Sequence, residues 1–178
     1  MLKKIVVIGP ESTGKSSLCE ALAEHYKTIW CPEYAREYLL KNGKEYNYEA
    51  LLTVAKGQVA LEEQYIRTAY NNNFSGLFID TDMYVMKVWC EFVFGKCHTF
   101  ILNEIVSRKY DLYLLCNTDL PWVKDELREY PDFKTREQLF QMYKSLLIDQ
   151  GTPWAEIRGV GNERLETAIR AVDPLLRK

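Results

Sequence analysis

A glycine-rich segment near the start of the chain limits the available folds more than any other feature of the sequence. Residues 9–16 read Gly-Pro-Glu-Ser-Thr-Gly-Lys-Ser and directly follow four β-branched residues at positions 5–8. A helical period begins at Ser16 and places Leu18, Ala21, Leu22 and Tyr26 on one face. A strand buried on both sides, then a glycine turn, then a helix is typical of a parallel sheet with helices on both faces.

The segment matches the pattern GxxxxGK[ST] of loops that bind polyphosphates (P-loops). Gly9 and Gly14 permit the close backbone approach that a Cβ would block, and the following helix adds its N-terminal N–H groups and dipole. Lys15 is expected to contact the β- and γ-phosphates, and Ser16 to bind Mg²⁺. A glycine turn without a ligand is the alternative. The residues predicted to bind the cofactors ATP and Mg²⁺ here are Gly9, Glu11, Ser12, Thr13, Gly14, Lys15, Ser16 and Ser17.

The rest of the chain alternates short apolar runs with longer helical periods. Further strands are predicted at residues 28–31, 77–79, 112–115 and 155–157. A helix is predicted at residues 47–69. A second helix is predicted to start at a capping box formed by Thr135 and Gln138, and a third contains Leu165, Ala168, Ile169 and Val172. We find no repeat or linker, so residues 1–178 are predicted to form one domain. A polar and aromatic stretch at residues 117–136, the lid segment, interrupts the pattern.

Charge and cysteine content narrow the class of protein. The net charge is -2 and the pI is about 5.8, with Lys and Arg scattered along the chain. We therefore expect neither a nucleic acid nor a membrane as partner. Five cysteines without a CxxC pair and only two histidines indicate free thiols rather than a zinc site. Without a signal peptide or a membrane-spanning stretch, a soluble cytoplasmic protein is expected.

Two acids follow the strand predicted at residues 77–79. Asp80 ends that strand, and a carboxylate at the carboxyl edge of a parallel sheet faces the same crevice as the P-loop. Asp80 is therefore the predicted second ligand of Mg²⁺. Asp82 is predicted to bind the acceptor hydroxyl and to act in catalysis, with the N-cap of the next helix as the alternative.

Glu33 and Arg36 follow the strand predicted at residues 28–31, where a side chain points into the crevice. Glu33 is the first candidate for the general base, and the alternative is a solvated ion pair with Arg36. The lid segment carries Trp122, Arg128 and, at its end, Arg136. It is predicted to close over ATP and to bring an arginine to the transferring phosphoryl group, with a wet surface loop as the alternative.

Four stretches, in this order and spacing, resemble one family. They are the P-loop at residues 9–16, Pro-Glu-Tyr-Ala-Arg-Glu-Tyr at 32–38, Asp-Thr-Asp at 80–82 and Asp-Leu-Pro-Trp-Val-Lys-Asp at 119–125. Together they are similar to the nicotinamide riboside kinase domain of the NadR family, and the similarity extends over essentially the whole chain. The P-loop is generic, and the Glu-Tyr-Ala-Arg stretch at 33–36 and the Pro-Trp-Val stretch at 121–123 narrow the choice of family.

The resemblance implies transfer of the ATP γ-phosphoryl group to the 5′-hydroxyl of nicotinamide riboside, which gives nicotinamide mononucleotide. It also implies a P-loop NTPase three-layer sandwich, with a five-stranded parallel sheet of order 2-3-1-4-5. Lys15, Glu33, Asp82 and Arg128 become the expected catalytic residues. The expected acceptor site comprises Glu33, Tyr34, Arg36, Asp82 and Trp122, whose ring would stack on the cationic pyridinium. The adenylyltransferase and DNA-binding domains of bifunctional relatives are not expected in this chain.

Two other functions remain open from the sequence. One is a P-loop kinase for a different nucleoside, nucleotide or cofactor precursor. The other is an ATPase or nucleotide-binding switch that signals by conformation. A guanine-nucleotide switch is disfavoured because no DxxG sequence follows Asp80 and no NKxD sequence occurs at residues 117–119.

Overall fold

A five-stranded parallel sheet forms the frame of the structure, a computed structural model in which residues 1–177 are described. The strand order is β2-β3-β1-β4-β5, which confirms the predicted order 2-3-1-4-5 and places the P-loop strand in the middle. The strands are β1 (Lys3–Ile8), β2 (Ile29–Cys31), β3 (Gly76–Asp80), β4 (Leu112–Cys116) and β5 (Trp154–Ile157).

Within residues 1–177, seven helices connect and cover the strands. They are α1 (Lys15–His25), α2 (Tyr34–Asn42), α3 (Tyr48–Asn71), α4 (Met83–Phe94), α5 (Thr99–Ser107), α6 (Phe133–Ile148) and α7 (Asn162–Leu176). Helix α5 was not predicted from the sequence. No helix within residues 1–177 has the length and apolar character needed to cross a membrane.

The start of α6 differs from the prediction. The sequence pointed to Thr135 as the first residue of a capping box, but the helix begins two residues earlier. Asp132 is the N-cap, and its carboxylate accepts a hydrogen bond of 2.7 Å from the Thr135 backbone N–H. An aspartate three residues before a free N–H satisfies that donor as well as a threonine does, so the upstream cap extends the helix.

Alternation along β1 divides the core between the two faces of the sheet. Ile5 and Val7 pack with α1 and α7 on one face, while Val6 and Ile8 pack with α4 and α6 on the other. All four side chains are fully buried. Burial of each contributes on the order of 1.5–3 kcal/mol, so β1 is firmly held and is a rigid base for the loop that follows it.

A third apolar cluster joins α2, α3, α4 and α5 beside the sheet. Helix α2 follows β2 and α4 follows β3, so both helices begin where parallel strands end. The cluster therefore sets the position of the two helices that line the crevice. Its buried members are Ala35, Leu51, Val54, Ala55, Met83, Met86, Cys90 and Ile101.

Within this cluster, α2 contacts α3 at a glycine. The ring of Tyr34 lies on Gly57, where an added Cβ would come within 2.0 Å of the ring. The Tyr34 backbone N–H donates to the Gln58 side chain at 2.7 Å, so the same turn of α3 holds the start of α2. The contact thus requires a glycine at position 57 in mid-helix, and it holds the Tyr34 ring against α3.

We expect Gly57→Ala to lower the free energy of unfolding by about 1–3 kcal/mol, because the new methyl group overlaps the Tyr34 ring. This loss outweighs the gain of about 1 kcal/mol in helix propensity. Urea denaturation measures the change. Gly151→Ala is the matched control, because no heavy atom lies within 4 Å of a Cβ at that position. Wild-type stability of Gly57→Ala would contradict this packing.

Candidate active site

A cavity of about 440 Å³ opens at the carboxyl edge of the sheet, beside the P-loop. Its walls come from the P-loop, the end of β2, α2, α4 and the lid segment. This is the edge at which ligands bind in open parallel sheets. All eight residues predicted to bind the nucleotide line it, together with Glu33, Arg36, Asp80 and Arg128 from the other predicted sets.

The P-loop is a tight turn held from both sides. Gly9 has φ +145°, and a Cβ there would lie 2.7 Å from the carbonyl oxygen of Cys116 at the end of β4. Gly14 adopts the left-handed region, with φ +74°, as the N-cap of α1. The Thr13 hydroxyl and the Lys15 ammonium both donate to the Pro10 carbonyl, at 2.7 and 3.0 Å. Contacts within the loop and with the end of β4 therefore hold its shape.

Ser16 and Asp80 meet at the floor of the cavity. The Ser16 hydroxyl donates to Asp80, whose side chain is fully buried at the end of β3. Burial raises the pKa of Asp80, while the Lys15 charge and the hydrogen bonds from Ser16 and Thr81 oppose the rise. Over residues 1–177, no group of three or more His, Cys, Asp or Glu is placed to hold a metal. One hydroxyl and one carboxylate suit Mg²⁺, which takes few protein ligands and completes its shell with phosphate and water.

Glu33 lies on the cavity wall, immediately before α2. It occupies the N-cap position but makes no side-chain capping bond, so its carboxylate remains available to the cavity. Burial, followed by repulsion from Asp80, raises the pKa of Glu33 to about 7, against the opposing charges of Lys15 and Arg36. A carboxyl group with a pKa near neutrality beside a phosphate site has the properties of a general base.

Arg36 makes its ion pair with the lid segment rather than with Glu33. Its guanidinium donates to both carboxylate oxygens of Asp125, at 3.0 and 3.3 Å. The alternative of a solvated Glu33–Arg36 pair is therefore not what the structure contains. Arg36 remains on the cavity wall, between Glu33 and the lid segment.

Asp82 lies outside the cavity lining. One carboxylate oxygen accepts from the Tyr84 backbone N–H at 2.9 Å, and the other accepts from the Tyr113 hydroxyl at 2.8 Å. Asp82 is the N-cap of α4 and is only 2% exposed. The placement matches the capping alternative rather than the predicted acceptor site, because the backbone turns after Thr81 (φ +77°) and directs the side chain into the core.

The two aromatic residues predicted for the acceptor site also point elsewhere. The Tyr34 ring packs on Gly57, and the Trp122 indole N–H donates to Glu11 at 3.0 Å; neither lines the cavity. The aromatic lining consists instead of Trp30, Tyr46, Trp89, Phe92, Tyr130 and Tyr143. The four cavity residues of α4, Val85, Val88, Trp89 and Phe92, follow helical spacing, a signal that would have identified this wall from the sequence.

The lid segment lies over the P-loop. Residues 117–132 form no regular element, and the remainder of the segment is the first turn of α6. Arg128 lines the cavity, and its guanidinium also donates to the Val123 carbonyl within the segment. Arg136 is 3% exposed and donates to the carbonyls of Ser12 and Leu120, at 3.3 and 3.1 Å. These contacts tie the segment directly to the P-loop.

Curated relatives match most of the chain. The Trifunctional NAD biosynthesis/regulator protein NadR of Escherichia coli K12 is 30% identical over 152 residues, which are 83% of this chain and 35% of that protein. The protein of the same description from Salmonella typhimurium LT2 is 27% identical over 161 residues, 88% of this chain and 38% of that protein. The chain thus spans little more than a third of the relatives it matches.

Solved structures share the fold. A NadR protein in complex with NR superposes with a TM-score of 0.81 at 22% identity, over 99% of this chain and 51% of that one. A NadR protein in complex with NAD and AMP-PNP gives 0.76 at 20% identity, over 98% and 49%. Thymidylate kinase from Ehrlichia chaffeensis gives 0.67 at 13% identity, over 98% of both chains.

A family model described as AAA domain matches residues 4–164, which include every strand, the P-loop and the lid segment. The match agrees with the observed strand order and with the geometry of the loop after β1. The chain therefore belongs to the AAA domain family of P-loop proteins.

Proposed function

We propose that this chain is an ATP-dependent kinase that phosphorylates the 5′-hydroxyl of nicotinamide riboside, giving nicotinamide mononucleotide and ADP. One observation carries the proposal. The P-loop, the Ser16–Asp80 pair and Glu33 line a single cavity, and aromatic side chains form part of the same lining. The sequence similarity to NadR and the superposition on a NadR protein with bound NR support this acceptor.

The P-loop side of the cavity would hold the triphosphate of ATP. Backbone N–H groups at the start of α1 and the Lys15 ammonium provide positive potential there. Ser16 and Asp80 would hold Mg²⁺, which neutralises charge that develops on the phosphate oxygens. Lys15 now contacts the Pro10 carbonyl, and a γ-phosphate would be a stronger, charged acceptor for the same ammonium.

Glu33 would accept the proton of the acceptor hydroxyl. The hydroxyl oxygen forms a bond to the γ-phosphorus while the bond from that phosphorus to the β,γ-bridging oxygen breaks. ADP leaves with that electron pair, and the hydroxyl proton passes to the Glu33 carboxylate. Arg128, which also lines the cavity, would stabilise the transferring phosphoryl group.

The aromatic wall suits a flat cationic base. Trp89 and Phe92 of α4 and Tyr46 before α3 line the cavity, and Tyr46 and Trp89 pack on the same apolar cluster as α2. The faces of such rings attract a pyridinium cation. Trp89 is therefore a better candidate for stacking than Trp122. Tyr34 and Asp82 would act indirectly, by positioning α2 and α4.

The direct test is ADP formation by the purified protein with a panel of acceptors. We expect turnover with nicotinamide riboside and much slower turnover with uridine, adenosine or thymidine monophosphate. Lys15→Ala is the negative control, and its kcat should be lower by at least about a hundredfold. ADP formation that is independent of any acceptor would indicate an ATPase. A preference for another nucleoside or for the monophosphate would indicate a different kinase.

The metal site is tested by Asp80→Asn, which keeps the shape of the side chain and removes its charge. The Mg²⁺ concentration for half-maximal activity should rise by about tenfold or more, because an amide oxygen is a weaker ligand than a carboxylate. The control is Asp149→Asn on the exposed end of α6, with an unchanged magnesium titration. An identical titration for both variants would remove Asp80 from the metal site.

The role of Glu33 predicts a pH dependence. A base must be deprotonated, so kcat/KM should fall as pH decreases through about 7, the raised pKa of Glu33, and level off above it. Glu33→Gln should lower kcat by about 10²- to 10⁴-fold and leave ATP binding nearly unchanged.

Glu37→Gln, an exposed position on the same helix, is the matched control and should retain the wild-type profile. If Glu33→Gln kept both the wild-type kcat and the inflection near pH 7, another group would be the base.

A further inference from the structure

Glu11 is a carboxylate inside the loop that binds phosphates, a position where its charge opposes that of a triphosphate. Its side chain is directed to the lid segment. One oxygen accepts from the Trp122 indole N–H at 3.0 Å and from the Tyr130 backbone N–H at 2.6 Å. The other oxygen accepts from the Glu129 backbone N–H at 2.9 Å. Three donors of the lid segment therefore converge on one P-loop side chain.

These contacts satisfy backbone hydrogen-bond donors of the lid segment. Residues 117–132 form no helix or strand, so their backbone N–H groups need partners from outside regular structure. Glu11 supplies two of these partners and the adjacent Ser12 hydroxyl supplies a third, accepting from the Val123 N–H at 2.9 Å. Hydrogen bonds to a charged acceptor are roughly twice as strong as neutral ones, so Glu11 is a strong anchor for this part of the backbone.

The same stretch of the lid segment is also attached to the opposite wall. The Glu129 carboxylate accepts from the Tyr46 hydroxyl at 2.9 Å, and Tyr46 in turn accepts from the Trp89 indole N–H at 2.9 Å. Glu129 is thus held through its backbone by the P-loop and through its side chain by the aromatic wall. Arg128 is the preceding residue and lines the cavity between them.

We propose that Glu11 is a positioning residue for phosphoryl transfer, which holds the lid segment closed and thereby fixes Arg128 over the P-loop. This inference builds on the proposed kinase function and replaces the nucleotide-binding role predicted for Glu11. A closed lid segment also keeps water from the γ-phosphate, so the same anchor favours transfer to the acceptor over hydrolysis.

Limited trypsin digestion, mapped by mass spectrometry, tests the anchor without any assumption about the reaction. Lys124 and Arg128 are the trypsin sites within residues 117–132. Glu11→Ala should increase cleavage after both of them by about tenfold or more, because the segment opens more often. Cleavage after Lys27, in the exposed turn between α1 and β2, should not change. Glu20→Gln, an exposed acid on α1, is the control with wild-type cleavage.

The kinetic test separates an anchor from a simple charge effect. Glu11→Ala should lower kcat for transfer by about ten- to a hundredfold, because Arg128 is no longer held in place. The ratio of ADP formed without acceptor to ADP formed by transfer should rise.

Glu11→Gln retains one acceptor oxygen, so its kcat should fall between those of wild type and Glu11→Ala. Trp122→Phe removes the indole donor. Its effect should be smaller in the Glu11→Ala background than in wild type, because both variants remove the same hydrogen bond.

If Glu11 acted only through its charge, Glu11→Gln and Glu11→Ala would behave alike, ATP would bind more tightly to both, and trypsin cleavage would match wild type. That result would overturn the proposal. Circular dichroism and thermal unfolding confirm that each variant is folded before it is assayed. A wild-type protein that transfers no phosphoryl group would refute the kinase function alone, since the cleavage experiment would still report on the anchor.

Discussion

The tight turn between β1 and α1 is the constraint on which the rest of the site depends. Gly9 is pressed against the Cys116 carbonyl at the end of β4, and Gly14 takes a left-handed conformation to start α1. A Cβ at Gly9 would force these two strand ends apart. Because β1 is fully buried in the middle of the sheet, the turn has little freedom to move. It therefore presents a preformed phosphate site, and the neighbouring strands end beside it.

Several acids beside a phosphate site are electrostatically unfavourable, and the effect is visible in the raised pKa values of two of them. Burial raises the pKa of both Asp80 and Glu33, and repulsion from Asp80 adds to the rise at Glu33. Lys15 opposes the rise at both acids. The charge of Lys15 does not fully offset the burial of the two acids. A magnesium–nucleotide complex would bring a cation to the Ser16–Asp80 pair, and Glu33 would be left as the proton acceptor.

The lid segment shows how an irregular stretch is held in a defined position. Its backbone donors are met by Glu11 and Ser12 of the P-loop, and its acidic side chains pair with Arg36 and with Tyr46. The sequence indicated a lid from the break in apolar periodicity and from its arginines. Its anchors were not predictable, because they join residues more than eighty positions apart. Glu11 in particular was expected to bind nucleotide, since local pattern alone assigned it to the phosphate loop.

Local pattern by itself determined the strand–turn–helix unit at the P-loop, the apolar strands, the Asn47 start of α3 and the position of Asp80 at a strand end. Each depends on neighbours within a few residues, through burial periodicity, caps and turn conformations. Tertiary structure alone decided that Asp82 caps α4, that Tyr34 packs on Gly57, and that Trp89 rather than Trp122 faces the cavity. Side-chain direction there is set by packing between elements distant in the sequence, and the near-neutral pKa of Glu33 likewise arises only when β2, β3 and the P-loop are brought together.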